Sequence, residues 1–425
     1  MAVGSRSAVD DSTPAGRLSN EAGAARSLSI LFVAPSWPYP PTWGFATRVY
    51  HLARQLSKRH HVSFLAYKGA NSEVEPTDAF REFRSVELVA QPPAFRSKRR
   101  AQAASLLSPR SYHMAHLRSA RMSAAVNRAL DRHAFDLVQV ESSQMGLAAI
   151  EPGIPLVLDE HNVEFLLLRR LASIESAPWR KAFGYLEALK ARRDELRSWK
   201  NCDGAVFASE SDMTLMRAAQ PEKPACVVPN GVDTDYFHPS SVEPEPATIV
   251  FTGAINYRPN TDGVAYCIRE VMPILRRIRP SVRFVVVGQG APDWLIRMAG
   301  PNVEFTGAVD DVRPYLSRAA VVIAPLRAGS GTRLKILEAL AVGKPVVSTR
   351  VGREGLAVAD GEHLIVADDP VSFAQQTARL ISDRRLADEL GRRGRALVER
   401  QYSWSAIAGR LESFHSTLIQ KETRV

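Results

Sequence analysis

The chain has 425 residues, too many for one ordinary core, since single cores stop growing near about 250–300 residues, and two domains of about 200 residues are expected. Hydrophobic residues make up 45% and charged residues 24%, with 25 glycines and 27 prolines dispersed, which excludes low-complexity and fibrous classes. The net charge is +10, yet no zinc spacing, recognition motif or aromatic stacking pattern accompanies it, so nucleic acid is not an expected partner.

Residues 1–27 are polar and lack an apolar signal core, and they are expected to form a disordered tail. No segment approaches the roughly 18 uninterrupted apolar residues of a membrane span. The three cysteines, Cys202, Cys226 and Cys267, are widely spaced and without ligand partners in sequence, which speaks against a disulfide framework or a zinc site and for a reducing cytoplasm.

Short β-branched runs follow at 28–35, 61–67, 85–90, 136–141, 155–160, 204–209 and 225–230, and read as buried strands. Helical patterns lie between several of them; over 46–59, Val49, Leu52, Ala53 and Leu56 make one apolar face. Alternation of this kind predicts a parallel sheet covered on both sides. From 92 to 132 nine Arg and Lys face a single acid, Asp131. Such a run is either a solvated helical face or a surface for anionic lipid or substrate, and the apolar-interleaved part at 101–126 is a candidate for acceptor contact or for peripheral contact with an anionic membrane at the inner face of the plasma membrane. The proline-rich segment HPSSVEPEPAT (238–248) reads as a linker. A second alternation then runs through 248–254, 263–278, 282–290, 303–307, 314–318, 320–326, a helix within 329–347, 345–350 and 363–368, with helices to the end. The expectation is an α/β protein of two doubly wound domains facing across a cleft, with ligands at the carboxyl ends of the strands.

The stretch GSGTRLKILEALAVGKPVV (329–347) is the most informative. Gly329 and Gly331 leave room for close approach to free backbone N–H groups, Ser330 or Thr332 can cap the helix, and the positive end of the helix dipole suits an anion. Arg333 and Lys335 are cations where that dipole disfavours them, a conflict an anionic ligand relieves. Glu338 sits beside the apolar stripe of Leu334, Leu337 and Ala341, and a carboxylate there can accept hydrogen bonds from two hydroxyls. Phosphate plus polyol suggests a nucleotide sugar; the plainer alternative is a capped surface helix.

This stretch resembles the nucleotide-sugar motif of glycosyltransferase family 4. VVPNGVDTDYFHP (227–239), FVAPSWPYPPTWGFATRVYHLARQL (32–56), DEHNVE (159–164), IVFTGAINYRPNTDGV (249–264), VEFTGAVDDVRPYLSRAAVVIAPL (303–326) and YSWSAIAGRLESF (402–414) are similar to family segments in order and spacing. The resemblance implies a GT-B architecture. An acceptor-binding Rossmann-like domain spans 28–240, a nucleotide-sugar domain spans 241–402, and the helix at 403–425 crosses back to the first domain. It also implies transfer with retention of configuration to a glycan or lipid-linked acceptor in cell-surface polysaccharide or glycolipid synthesis. The nucleotide sugar is then a co-substrate, and neither a cofactor nor a metal is required. Two departures stand out. Where many members carry a Glu eight residues before the equivalent of Glu338, this chain has Ser330, and the loop after the first strand of the second domain holds Arg258 but no Lys. The phosphate role is therefore expected to fall to Arg333 and Lys335 as well as Arg258.

His161, after a strand, is expected to face the cleft and contact the donor sugar or its departing phosphate, with Asn162 as an alternative helix cap that would leave His161 incidental. Glu164 is explained by the helix dipole alone. Gly44 is expected in a strand-to-helix turn where a bare backbone admits the diphosphate or acceptor. Arg48 reads as a surface or acceptor-side cation. Gly288-Gln289-Gly290 lacks the third glycine of a dinucleotide fingerprint. Asp310 and Asp311 could border a base pocket or simply start a helix. Other readings are an epimerase or hydrolase of the same fold, or a non-catalytic nucleotide-sugar-binding protein.

Overall fold

The computed structural model describes residues 26–41, 43–68, 78–91, 98–111, 117, 119–145, 153–329 and 332–422. Nearly all of the expected tail, parts of the basic run, and Ser330 and Gly331 lie outside the described residues.

The first sheet comprises β1 (Ser29–Ala34), β2 (His61–Lys68), β3 (Ser85–Ala90), β4 (Leu137–Glu141), β5 (Leu156–Glu160), β6 (Gly204–Phe207) and β7 (Ala225–Val227), in the order β3-β2-β1-β4-β5-β6-β7. The second comprises β8 (Thr248–Thr252), β9 (Arg283–Val287), β10 (Val303–Gly307), β11 (Val321–Ala324), β12 (Val346–Ser348) and β13 (Ile365–Val366), in the order β10-β9-β8-β11-β12-β13. All pairings between these strands are parallel. The molecule is thus two Rossmann-like α/β units, the GT-B arrangement. Helices on both faces explain why β5 and β8 are buried at every position and read as unbroken apolar runs.

In each sheet the strand order reverses once, between β1 and β4 and between β8 and β11. The crevice at such a reversal is where doubly wound sheets bind ligands. The helix Gly44–Ser57 follows β1 and buries Val49, Leu52, Ala53 and Leu56. The last helix, Trp404–Glu422, lies against it, with the His51 and Trp404 rings stacked 5.1 Å apart. It also closes on β6: a Cβ on Gly204 would fall 2.6 Å from Leu418.

Several local expectations are corrected. Gly44 is the first residue of its helix rather than part of a turn. The strand expected over 363–368 shrinks to Ile365–Val366. The helix expected over 263–278 starts at Arg258 and passes through a π-helical turn, Cys267–Val271, before Met272–Ile278. Pro273 has no N–H to donate to the preceding turn, and the widened turn stands just before it.

Candidate active site

The first half of the site is built at the carboxyl ends of β1, β4 and β5. β4 ends on Glu141 and β5 on Glu160, so His161 is carried to the mouth of the crevice. Glu141 accepts a hydrogen bond from His161 Nε2 at 2.7 Å and another from the Gln139 amide at 2.7 Å. Gln139 Oε1 in turn lies 2.8 Å from His415 Nε2 of the last helix. An amide carbonyl only accepts, so His415 carries its proton on Nε2. Burial holds His415 neutral, its pKa pushed down to about 3. Burial also raises the Glu141 carboxyl, the nearby Asp159 charge adds to the rise, and the bond from His161 opposes it. Ser142, directly after Glu141, has φ 77°, a left-handed backbone that non-glycine residues enter rarely and mostly at functional sites.

Phe45 stacks on the His161 imidazole with centroids 5.0 Å apart, which with Glu141 fixes the ring on two sides. Beside it Arg48, expected at the surface, is only 1% exposed. Its guanidinium grips Asp159 through both oxygens at 2.8 and 3.1 Å and reaches the Val228 carbonyl at 2.8 Å and Asn230 Oδ1 at 3.2 Å. Glu141, Asp159 and His161 offer donor atoms within 4.8 Å of one another, a hard donor set of the kind that takes a divalent cation. Here the Asp159 charge is already matched by a fixed guanidinium.

The second half rests on the helix Leu334–Ala341. Arg333 occupies its N-cap position with extended backbone, φ −96° and ψ 102°, and its own side chain makes no capping hydrogen bond. Thr332, expected as a cap, is otherwise engaged: its hydroxyl accepts the Asn230 N–H at 2.8 Å and its carbonyl accepts the Asn230 amide at 3.1 Å. Since Asn230 also holds Arg48, the crossover segment ties the helix start to the first half of the site.

Lys335, in the first turn, points into the loop after β8. Its ammonium donates to Asn260 Oδ1 at 2.9 Å and lies 3.7 Å over the Phe251 ring. Gly253 has φ 139°, and a Cβ there would fall 2.9 Å from Lys335 Nζ, so the backbone is bare where the cation sits. Burial drives the Lys335 pKa well down, and burial pushes Glu338, one turn on, up to about 7, with the Lys335 charge opposing that rise. Both groups are held in a setting that disfavours their charged forms until a partner arrives.

Across the cleft, a Cβ on Gly44 would lie 3.7 Å from Leu334, so the two helix starts meet face to face. Leu167 and Leu171 pack on Ala328, and Arg170 donates to Glu354 at 2.5 and 2.8 Å and to the Gly329 carbonyl. Gly329 has φ 142° and Arg333 folds back on it, its guanidinium 2.6 Å from where a Cβ would stand. Arg258 turns to the first sheet's side and donates to Glu175 at 2.6 Å. At the helix after His161, Val163 is the N-cap residue rather than the alternative Asn162, and the Glu195 carboxylate accepts the N–H groups of Glu164 and Phe165 at 2.6 and 2.8 Å. Gly44 thus meets the start of the helix that carries Lys335 and Glu338, with Thr332 and Arg333 just before it and His161 stacked on the neighbouring Phe45, whereas Arg258 is held in an ion pair with Glu175.

Two family models match the chain, one described as Glycosyltransferase Family 4 over residues 44–236 and one as Glycosyl transferases group 1 over residues 246–383. The chain belongs to glycosyltransferase family 4. The chain is 27% identical over 216 residues to a phosphatidyl-myo-inositol mannosyltransferase of Mycobacterium tuberculosis, an alignment covering 47% of the chain and 56% of that protein. It is 30% identical over 233 residues to a D-inositol 3-phosphate glycosyltransferase of Segniliparus rotundus, covering 48% and 50%. The chain thus spans about half the length of the curated relatives it matches. Among solved structures, sucrose-phosphate synthase from Thermosynechococcus elongatus superposes with a TM-score of 0.72 at 16% identity, over 92% of this chain and 100% of that one. Anabaena HepE in complex with UDP-glucose superposes with 0.65 at 16% identity, over 92% and 100%. These likenesses bear on the fold.

Sequence reasoning did not single out several polar residues that the structure ties into the candidate site: Gln139, Glu141, Asp159, Asn230, Asn260 and His415. Asp159, Asn230 and Asn260 lie in segments already noted for their resemblance, whereas Gln139, Glu141 and His415 sit in a strand and a helix whose local pattern gives no sign of them. Arg48 carried a signal, since a cation on the same helix as a strong apolar face needs a partner when buried.

Proposed function

We propose that the protein is a retaining glycosyltransferase that moves a sugar from a nucleotide-diphosphate sugar to a glycan or lipid-linked acceptor, in the cytoplasm, in cell-surface polysaccharide or glycolipid synthesis. The observation that carries this is Lys335, whose ammonium enters the bare Gly253 loop, with Glu338 one turn behind it. That loop lacks a lysine of its own, and Asn260 accepts from the one the helix supplies. A diphosphate in this position would meet the free N–H groups of Leu334–Ala341 and the Lys335 charge, while Glu338 accepts from the sugar or ribose hydroxyls. Arg333 folds beside it as a second cation.

In the transfer, the acceptor oxygen bonds to the anomeric carbon as the carbon–phosphate oxygen bond breaks, and the acceptor proton passes to the departing phosphate. The N–H groups and Lys335 stabilise the charge that develops there. His161, fixed by Glu141 and Phe45, faces this point from the acceptor side. The chain needs only the nucleotide sugar as co-substrate on this reading.

The test is incubation of the protein with UDP- and GDP-linked hexoses and a panel of glycan and lipid-linked acceptors, with product anomers assigned by proton NMR. Retention in an acceptor-dependent product is expected. Donor consumed without any acceptor requirement would favour an epimerase or hydrolase, and binding without turnover a carrier.

A further inference from the structure

The helix Pro178–Asn201 buries all its acids together with Ala188, Ala191 and Trp199, and leaves other large apolar side chains in solvent. Its three acids, Glu187, Asp194 and Glu195, are 1%, 2% and 0% exposed, while Trp179 and Leu189 stand 69% and 68% exposed and Tyr185 and Leu186 38% each. Further along the outward side come Arg192, Arg193, Arg197 and Lys200, all exposed. None of these four has an ion-pair partner among the described residues. A surface helix of a globular protein normally shows the reverse arrangement.

The inward acids have structural tasks. Glu187 accepts from the Ser105 hydroxyl at 2.5 Å and Lys190 at 3.1 Å, Asp194 accepts the Ser111 N–H at 3.2 Å, and Glu195 caps the helix that follows His161. Ser105, bonded to this helix, is followed by Leu106 and Leu107, 58% and 94% exposed. What stands in solvent along this helix is therefore a set of apolar side chains, Trp179, Tyr185, Leu186 and Leu189, with Arg180 against Trp179, followed by a row of cations.

We propose that this face docks on an anionic bilayer, with Trp179 and the leucines at the headgroup–acyl boundary and the arginines on lipid phosphates. The inference rests on the reading of a lipid-linked acceptor. Charge complementarity selects the partner. A second copy of the chain would bring the same cations to the face, and the helix exposes no acid to meet them. Of the stretch at 101–126 expected to contact a membrane or the acceptor, Leu106 and Leu107 follow Ser105, which is bonded to this helix. Part of that stretch lies outside the described residues, and the helix Ala120–Arg132 turns Met122, Ala125 and Val126 inward and its cations to water, an ordinary solvated face. Because Glu195 belongs to the docking helix and caps the one beginning at Glu164, a bilayer under the first would lie at a fixed offset from His161.

The test is flotation of the full chain with phosphatidylcholine vesicles, with and without phosphatidylglycerol, at low and high salt. Flotation only with the anionic vesicles, reversed by salt, is expected. Removing two cations in Arg192→Ala/Arg193→Ala should weaken partition roughly 25-fold, at about five-fold per cation. Leu189→Ser should also weaken it, with circular dichroism melting curves matching wild type in both variants. Failure of the wild type to float, or flotation of both variants like wild type, would overturn the proposal. So would a wild-type dimer in light scattering that the arginine variant converts to monomer. Transfer to a lipid-free acceptor, measured separately, reports on the enzymatic reading: a protein that transfers but does not float fails only the docking proposal.

Discussion

At the residue scale, Glu338 is the clearest case of a side chain whose sequence position announces a purpose. A carboxylate beside an apolar helical stripe was legible from spacing alone; its relation to Lys335 and the Gly253 loop was not, because that loop lies some 80 residues earlier in the chain. Burial raises Glu338 from 4.5 to about 7, and the sign of the consequence follows. The folded state keeps this proton up to about 7 whereas the unfolded chain releases it near 4.5, so stability falls as pH rises through that window. Glu164, also pushed up to about 7 by burial, adds a second slope of the same sign. Glu338→Gln has no proton to release there, so urea unfolding should show the variant more stable than wild type by roughly 1–3 kcal/mol above the window and level with it below. Identical pH profiles for the two proteins would remove the buried-carboxylate reading.

At the scale of elements, the strands and most helices were readable because doubly wound sheets bury their strands on both faces and leave unmistakable apolar runs. What escaped were buried polar links between elements distant in sequence. Arg48 is the example: helix Gly44–Ser57 presents it to Asp159 at the end of β5 and to the segment after β7, 111 and about 180 residues away. Surface ion pairs such as Arg258–Glu175 contribute little, but both partners of Arg48–Asp159 are buried, at 1% and 0%. Removing one partner of such a pair costs about 3–5 kcal/mol because the other charge is left stranded. Arg48→Ala should therefore lower the stability to chemical denaturation by that amount, far beyond the effect of Arg258→Ala. A loss no greater than that of Arg258→Ala would mean that water reaches Asp159 in solution.

For the whole molecule, the two sheet reversals, β1/β4 and β8/β11, face each other, and the contacts joining the units gather where the donor is proposed to sit: Gly44 on Leu334, Asn230 on Thr332, Arg170 on Glu354 and Gly329. The architecture followed from alternation and from an ordered series of motifs. The details of closure did not, since they depend on which polar groups of two separate sheets come within 3 Å. The measurement that bears most directly on the donor site is a melting-temperature screen against UDP, GDP, ADP, CMP and dTDP, run on wild type, Glu338→Ala and Lys335→Ala. One nucleoside diphosphate near 100 Kd should stabilise the wild type by about 2.7 kcal/mol, and both variants should lose most of that gain while keeping the fold. Equal stabilisation of all three proteins would place the nucleotide elsewhere and contradict the assignment of Lys335 and Glu338.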